Sequence, residues 1–294
     1  MLSILIPVYN YNVFSLVLKL KRQADNLGII YEILAQDDLS QKFNNENAQI
    51  NTLENCIFSI NPENLGRGRN INLLCSKSKY NYILIMEADA LPENESYLKN
   101  YIELLSKKPK VIFGGVKYPD AIPSKEKILR WKYGIQRETK SLNQRLQNHY
   151  NFVFTWNLLL KKEILLQFPF PEFIRDYGYE DLIFIENLRL NSVPVIHIEN
   201  FLIHYNNEDS INFIEKTERA VRNLYNLIQL HKIDPKGIKL TKAYVLLKKL
   251  HLIGFIKAIY KITKNKVLAN LTSENPNLYL LDFYKLCYYC HLKK

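Results

Sequence analysis

The sequence predicts an α/β fold in which helices flank an open, mixed and mainly parallel sheet, followed by a basic α-helical C-terminal extension. Three observations carry this prediction. Short runs of β-forming residues alternate with helical segments over the first 120 residues. Acidic residues stand directly after two of the predicted strands. Nearly all of the net charge of +11 lies after residue 235, so the last part of the chain differs in kind from the rest.

Five strands are predicted in the first 120 residues, and helical segments lie between them. The strands cover residues 2–7, 31–35, 56–60, 82–86 and 111–116. Residues 13–23 and 66–76 have helical patterns, the second after a glycine-containing turn. Because parallel strands joined by helices end at one edge of a sheet, we expect a ligand site beyond their carboxyl ends.

The second half of the chain has a less regular pattern. Residues 120–150 are polar and basic, and they predict loops and helices over the site. The elements predicted after them are a turn at 175–178, a helix at 179–190, strands at 193–198 and 201–205, and a helix at 211–231. Pro235-Lys236-Gly237 is typical of a linker. We therefore predict a main domain at 1–232 and a basic helical extension at 233–294.

The extension is strongly basic. Residues 236–294 hold twelve lysines and two acidic residues, whereas the rest of the chain is close to neutral. About a third of a helical wheel contains the lysines Lys242, Lys249, Lys257, Lys261 and Lys264. That pattern indicates a polyanionic partner: an anionic membrane surface, a phosphate-linked acceptor or nucleic acid. The alternative is a helical subdomain that packs on the main domain and keeps its lysines in water.

The cysteines and the apolar segments indicate the type of cysteine site and the cellular location. Cys287 and Cys290 have CxxC spacing, but no second ligand pair lies near them, so we interpret them as thiols on an apolar helix. No signal peptide and no uninterrupted apolar run of about 18 residues is visible. We therefore expect a cytoplasmic protein. If the extension binds lipid, the protein would lie peripherally at the inner face of the plasma membrane.

Two acidic clusters follow predicted strands. Glu87-Ala88-Asp89 comes directly after the apolar residues 83–86, and its two carboxylates suit a hard divalent cation that bridges a diphosphate. Asp37-Asp38 follows the second strand, where a carboxylate can accept a hydrogen bond from a base or a ribose. Each cluster also has an ordinary structural interpretation: a solvated loop for the first, and a helix N-cap or turn for the second.

Three further features carry chemistry. Residues 64–70 place Arg67 and a second arginine beside two glycines, which suits phosphate, although the run is neither a P-loop nor a GxGxxG motif. Glu180 and Asp181 open a predicted helix, where a carboxylate can act as a general base and where helix polarity also favours acids. His204 closes an apolar strand, either as a metal ligand or, more commonly for a lone histidine, as a structural residue.

Taken in order, these features resemble the family 2 glycosyltransferases of the GT-A fold, which is Rossmann-like. The resemblance rests on Ser3-Ile4-Leu5-Ile6-Pro7-Val8-Tyr9-Asn10, Asp37-Asp38, Asn64-Leu65-Gly66-Arg67-Gly68-Arg69-Asn70, Glu87-Ala88-Asp89 and Gly178-Tyr179-Glu180-Asp181. It covers about residues 1–205. It implies that the main domain is catalytic and moves a sugar from a nucleotide-sugar donor, with UDP-sugar favoured, to a glycan or lipid-linked saccharide acceptor. Inverting displacement with Mn²⁺ or Mg²⁺ is implied as well.

The resemblance also implies which residues bind the donor. They are Pro7, Val8, Tyr9, Asp37, Asp38, Asn64, Arg67, Glu87 and Trp156. The first three would line the nucleotide base, and either Asp37 or Asp38 would bind the base or ribose. Arg67 would lie near the base and phosphates. Glu87 would contact the ribose or a metal-bound water.

Four residues are implied to hold the metal and to carry the chemistry. Asp89 would be the direct metal ligand, and His204 would complete the metal site. Asp181 would be the catalytic base, while Glu180 would hold the acceptor or the sugar. Two departures from the family pattern matter: Glu87 replaces the first Asp of the usual DxD, and no QxxRW motif follows the acidic pair. The second departure favours addition of one sugar per encounter.

Two rival classes are weighed against this interpretation. A sugar nucleotidyltransferase is disfavoured because residues 7–12 stand where that class carries a glycine-rich loop. A catalytically degenerate protein that binds nucleotide-sugars or polyanions is disfavoured because acids are retained at all three acidic motifs. Nucleic-acid binding is not expected, since the basic residues are not interleaved with a recognised module.

Overall fold

The computed structural model describes residues 1–174, 177–205 and 208–292. By its contacts the chain divides into two compact units. The first unit comprises Met1–Pro119, Arg137–Arg175 and Glu180–Tyr205, and the second comprises Asp120–Gln136, Asp176–Tyr179 and Asn206–Lys294. The second unit therefore takes segments from three parts of the chain. The boundary expected between residues 232 and 233 stays a prediction.

A seven-stranded sheet forms the centre of the first unit, in the order β3-β2-β1-β4-β8-β6-β9. Its strands are β1 Leu2–Val8, β2 Tyr31–Asp37, β3 Cys56–Ile60, β4 Tyr82–Met86, β6 Val111–Phe113, β8 Asn157–Lys161 and β9 Val195–His197. The strands β1 to β4 pair in parallel, while β8 runs antiparallel to both of its neighbours. Every residue of β1 and β2 is buried, as expected for strands covered on both faces. The predicted α/β fold with a mainly parallel sheet is confirmed.

A second, three-stranded sheet has the order β5-β10-β7. Its strands are β5 Ala90–Pro92, β7 Val116–Lys117 and β10 Leu202–His204. The single strand predicted over 111–116 is therefore wrong, since that stretch forms β6 and β7 in different sheets. Gly115 has a φ of +90°, and a Cβ on Gly114 would lie 2.3 Å from the carbonyl oxygen of Asn200. These two glycines let the chain leave one sheet and join the other.

Twelve α-helices are described: α1 Phe14–Asn26, α2 Asn44–Ala48, α3 Arg67–Lys77, α4 Tyr97–Ile102, α5 Ile128–Tyr133, α6 Leu142–Leu146, α7 Lys162–Gln167, α8 Glu180–Leu190, α9 Ser210–Gln229, α10 Lys239–Lys249, α11 Ile253–Leu271 and α12 Leu278–Leu292. Helix α1 buries Leu16, Leu20 and Ala24, which are four residues apart and face the core. The turn predicted at 175–178 lies partly outside the described residues. At the predicted linker, Pro235–Gly237 forms a short 3₁₀ turn.

The second unit is helical. Leu271, Leu281 and Tyr284 are buried in one of its clusters. Cys287 and Cys290 are both buried on α12, and burial raises the pKa of the Cys287 thiol to about 12. Such thiols pack as apolar groups, in agreement with the structural interpretation of this CxxC pair. Among the helices described, none combines the length and apolar character needed to span a bilayer.

Candidate active site

The candidate site of the first unit is built at the carboxyl ends of β1, β2 and β4. The chain after each of these strands carries polar residues that the seven-stranded sheet brings to one edge. Helices α3 and α8, the segment before β8 and strand β10 supply the remaining polar groups. This is the position at which ligands bind to open α/β sheets.

The loops after β1 and β2 are tied together by side chains. Pro7 and Val8 are buried in β1, whereas Tyr9 is 58% exposed. Asn10 has a φ of +51°, and its backbone N–H donates to Ser40 Oγ at 2.6 Å. In return, Asn10 Oδ1 accepts a hydrogen bond from the backbone N–H of Gln41. The exposed Tyr9 therefore stands on a fixed loop.

Asp37 and Asp38 have different environments. Asp38 accepts hydrogen bonds from the backbone N–H groups of Leu65 and Gly66, each at 2.8 Å, and from the Asn61 side chain. Its carboxylate is thus committed to holding the turn before α3. Asp37 accepts from the Ser40 N–H at 2.7 Å through one oxygen, while its other oxygen is buried without a hydrogen-bond partner.

The turn before α3 needs its glycines. Gly66 has a φ of +80°, which side chains rarely adopt. A Cβ on Gly68 would lie 3.1 Å from Phe170 Cβ and 3.7 Å from Glu180 Cβ, so this glycine allows α3 to pack closely beside the start of α8. Asn64 donates to the Asp38 carbonyl at 3.0 Å, which anchors the same turn.

Arg67 is the centre of the site. Its Nη1 donates to Asp181 Oδ1 at 2.9 Å, and its Nη2 lies 3.1 Å from Glu87 Oε2. The same Nη1 donates to Thr155 Oγ1, and that hydroxyl donates to Asp181 Oδ1 at 2.6 Å. One guanidinium therefore joins the residue after β4 to the first turn of α8. Burial disfavours the charge of Arg67, yet the carboxylates of Glu87, Asp181 and Glu180 hold its pKa above the ordinary value.

Two carboxyl groups of the site have raised pKa values. Burial, followed by repulsion from Asp181, raises the pKa of Glu180 to about 6, although Arg67 opposes the shift. One oxygen of Glu180 is buried without a hydrogen-bond partner. Burial also raises the pKa of Glu87, with Arg67 lowering it and Asp89 raising it further. Carboxyl groups whose pKa is raised by burial and by neighbouring charges are candidates for functional groups.

Asp89 and His204 form a pair because β5 and β10 are antiparallel neighbours. His204 is aligned with Ala90 across these strands, and its Nε2 lies 2.9 Å from Asp89 Oδ1. The imidazole packs between Trp156 and Tyr118, with ring centroids 4.9 and 5.4 Å away. Trp156, expected beside the donor, is thus a packing partner of His204 that is 8% exposed.

The residues present fit a divalent cation held by few protein ligands. Within the described ranges, no group of three or more His, Cys, Asp or Glu side chains is arranged to hold a metal ion. Asp89 and His204 nevertheless supply a carboxylate and an imidazole, both ligand types for Mn²⁺. Mg²⁺-type sites commonly use one or two carboxylates and complete the shell with substrate phosphates and water. Glu87, by contrast, has its Oε2 on Arg67.

The structure thus brings the predicted residues into three groups. Arg67, Glu87, Glu180 and Asp181 form one group, and Asp89 and His204 form another, which electrostatic coupling to Glu87 connects to the first. Asp37, Asp38 and Asn64 form the third, around the turn before α3.

Sequence reasoning missed three residues. Thr155 is buried and orients Asp181, and its only signal was a hydroxyl inside an apolar run. Tyr118 packs on His204. Tyr11 has its phenol pKa raised by burial and then by the charge of Asp89, so it lies near that carboxylate. For Tyr11 the signal was its position in the loop after the first strand.

Comparison with known proteins identifies the family of the chain. A sequence model of Glycosyl transferase family 2 matches residues 3–167, which is more than half of the chain. No curated protein matches the sequence.

Solved structures share the fold. Mannosyltransferase PcManGT from Pyrobaculum calidifontis, in complex with GDP-Man and Mn²⁺, is similar over 99% of this chain and 84% of its own, with a TM-score of 0.54 and 14% identity. Mannosyl-3-phosphoglycerate synthase from Rubrobacter xylanophilus is similar over 80% and 76%, also with a TM-score of 0.54 and 14% identity. For S. aureus TarS the TM-score is 0.49 at 17% identity, and 76% of this chain matches only 40% of the TarS chain. For the two structures with a TM-score of 0.54, the likeness at 14% identity shows a shared fold, GT-A.

Proposed function

The chain belongs to glycosyl transferase family 2, and from that premise we propose that it moves a sugar from a nucleotide-sugar donor to a glycan or lipid-linked saccharide acceptor. A UDP-sugar is the favoured donor, and the displacement is inverting and metal-dependent. The observation that carries the proposal is the meeting of Arg67 with Glu87 and Asp181, beside the Asp89–His204 pair.

Donor binding is assigned to the loops at the carboxyl ends of β1 and β2 and to α3. Tyr9 is exposed on its fixed loop and presents an aromatic ring to a base. Asp37, rather than Asp38, keeps a carboxylate oxygen with no partner for the base or ribose. Arg67 stands at the N-terminus of α3, where backbone N–H groups and a guanidinium both favour phosphate. Asp38 and Asn64 position this turn.

Cleavage of the donor leaves a nucleoside diphosphate that gains negative charge. Asp89 and His204 are the residues that would hold Mn²⁺ or Mg²⁺, and the bound cation would neutralise part of that charge. PcManGT, which shares the fold, is a structure with GDP-Man and Mn²⁺. Trp156 and Tyr118 both pack against the His204 ring, which restricts its orientation.

Asp181 is assigned the role of general base. Thr155 and Arg67 both donate to its Oδ1, which fixes the orientation of the carboxylate. An oriented carboxylate can take the proton of an acceptor hydroxyl as that oxygen attacks the anomeric carbon. Glu180, the neighbouring carboxyl, would hold the acceptor or the sugar. The alternative is a degenerate protein that only binds nucleotide-sugars or polyanions. Such a protein would not need an oriented carboxylate at Asp181.

A panel of donors tests the proposal. Thermal shift and diphosphate release are measured with UDP-, GDP- and dTDP-sugars, each with Mn²⁺ and with a chelator. We expect one nucleotide to stabilise the chain in a Mn²⁺-dependent way and its sugar to be released slowly to water. A shift without any release, even with added saccharide acceptors, would favour the degenerate binding protein. No shift with any donor would contradict the proposal.

The rate of transfer is expected to rise with pH through about 6, the pKa of Glu180. Below this pH Glu180 is protonated, and above it the charged carboxylate can accept hydrogen bonds from the acceptor or the sugar, which is the role assigned to it. The rising limb of kcat/KM should move to lower pH in Glu180→Gln and stay in place in the exposed control Glu163→Gln. If the rising limb of kcat/KM were unchanged in Glu180→Gln, the limb would reflect the titration of another group.

The raised pKa of Glu180 also affects the stability of the folded chain. The ordinary pKa of 4.5 is raised to about 6 in the folded chain, which therefore binds the proton more tightly than the unfolded chain. Between these two values the stability contributed by this group falls as pH rises. Glu180→Gln should consequently be no less stable than the unsubstituted chain at neutral pH, which a melting curve measures.

A further inference from the structure

The segment 239–271, called here the basic segment, comprises α10, α11 and the turn between them. It contains eight lysines and no acidic residue. The proposed transfer of a sugar does not use this charge. A solvated helix ordinarily carries both signs of charge, so a segment with one sign indicates a polyanionic partner.

Large apolar side chains are exposed along the same segment. Leu246 and Leu250 in and after α10 are 58% and 56% exposed, and Phe255 and Ile262 in α11 are 63% and 78% exposed. Single exposed apolar residues are normal, but several such residues among lysines mark an interaction surface. A nucleic-acid partner accounts for the lysines and leaves these aliphatic and aromatic side chains in water.

The outward face of α11 is fixed by what its other face buries. Tyr260, Val267 and Leu271 are buried in the core of the second unit. Phe255 and Ile262 are seven residues apart and therefore share one face of the helix. Lys266 lies four residues after Ile262 on the same face, Lys261 lies next to Ile262 in the chain, and both lysines are exposed. The exposed side of α11 therefore combines large apolar side chains with lysines, while its other side packs in the core of the second unit.

We propose that the basic segment docks on an anionic lipid bilayer, with α11 parallel to the surface. Phe255 and Ile262 enter the boundary between headgroups and acyl chains, and the lysines contact lipid phosphates. Lysine stems can lie along the apolar region while their ammonium groups reach the headgroups. Helices of this kind bind through apolar burial plus attraction to anionic lipid. The proposal goes beyond sugar transfer and does not rest on the proposed activity.

Vesicle sedimentation with the full chain, in the absence of donor and acceptor, tests the proposed membrane docking. Vesicles of phosphatidylcholine alone are compared with vesicles that also contain phosphatidylglycerol. We expect binding to the anionic vesicles only, weakened by added salt because exposed charges are screened. Lys261→Gln with Lys266→Gln should weaken it at least about tenfold, since each lysine near the surface contributes about fivefold. Phe255→Ser with Ile262→Ser should weaken it by about tenfold or more.

Matched pairs elsewhere provide the controls. Leu166→Ser with Leu190→Ser removes apolar residues of similar exposure, 59% and 66%, from the first unit. Lys107→Gln with Lys110→Gln removes two exposed lysines there. Both control pairs should bind anionic vesicles as the unsubstituted chain does, and melting curves should show all variants folded.

Three outcomes would overturn the proposal. The first is the absence of binding to anionic vesicles, and the second is equal loss of binding in the control pairs. The third is tight binding of duplex DNA or RNA that depends on the lysines but not on Phe255 and Ile262. None of these readouts involves a nucleotide-sugar, so failure here is distinct from failure of the proposed transfer.

Discussion

Asp181→Asn is expected to lower the rate of sugar transfer by about 10²–10⁴-fold while donor binding persists. The amide keeps the shape of the side chain and can still accept hydrogen bonds from Thr155 and Arg67. It cannot take the proton of an acceptor hydroxyl. Arg67 also keeps Glu87 as an ion-pair partner, so the site should not collapse. Single-turnover transfer rates and the thermal shift with donor measure the two effects separately.

The control substitutions decide between neighbouring carboxyl groups. Asp120→Asn removes an exposed acid of the second unit and should leave transfer unchanged. Glu180→Gln should shift the pH profile and reduce transfer less than Asp181→Asn does. If Asp181→Asn turned over normally while Glu180→Gln abolished transfer, Glu180 would be the base. Its pKa of about 6 would then give the pH dependence of the chemical step directly.

Local sequence patterns were sufficient for the four parallel strands β1 to β4 of the central sheet, but not for its antiparallel strand β8. The predicted limits of β3 and β4 coincide with those observed, because apolar β-forming runs there are bounded by turn residues. The split at Gly114 and Gly115 was not predictable, since the reason for it is a contact with Asn200 some 86 residues later in the chain. Strand β5 was missed because three residues after an acidic motif give no periodic signal.

The candidate site was predictable in its residue types and less so in its contacts. The strand ends indicated that the acidic motifs lie at one edge of the sheet, whereas the ion pairs of Arg67 with Glu87 and Asp181 were not predicted. Asp38, and not Asp37, has a structural role because its carboxylate accepts hydrogen bonds from the backbone N–H groups of Leu65 and Gly66. These residues are 27 and 28 positions away in the chain. No adjacent-residue pattern encodes such a contact.

The division of the chain into units was also only partly predictable from the sequence. Composition separates the basic extension from the rest of the chain, because the charge changes along the sequence. It does not indicate that residues 120–136 group with the C-terminal helices, as they do by contact. Leu129 of α5 packs in the same cluster as Phe213 and Leu271, which are more than 80 residues later in the chain.

Asp89→Asn is expected to abolish the Mn²⁺-dependent part of donor binding and to reduce transfer by about 10²–10⁴-fold. A bound cation contributes several kcal/mol to the stabilisation of developing charge, and each factor of ten in rate corresponds to about 1.4 kcal/mol. Asparagine removes the charge that attracts the cation and retains the size of the side chain. Any stabilisation by nucleotide in the presence of a chelator should persist, because Arg67 and the loops after β1 and β2 are unchanged.

The charge of Asp89 also acts on its neighbours, which gives this substitution an internal check. Asp89 raises the pKa of Glu87 and of Tyr11, so Asp89→Asn should lower both. A titration of the Tyr11 phenol, with Tyr11→Phe as reference, detects this effect independently of activity. The surface control Glu93→Gln loses an ion pair with Lys117 and should leave the Mn²⁺ response intact. Were Asp89→Asn to keep a full Mn²⁺-dependent shift, the cation would have to be held elsewhere, and the Asp89–His204 pair would be a structural contact between β5 and β10.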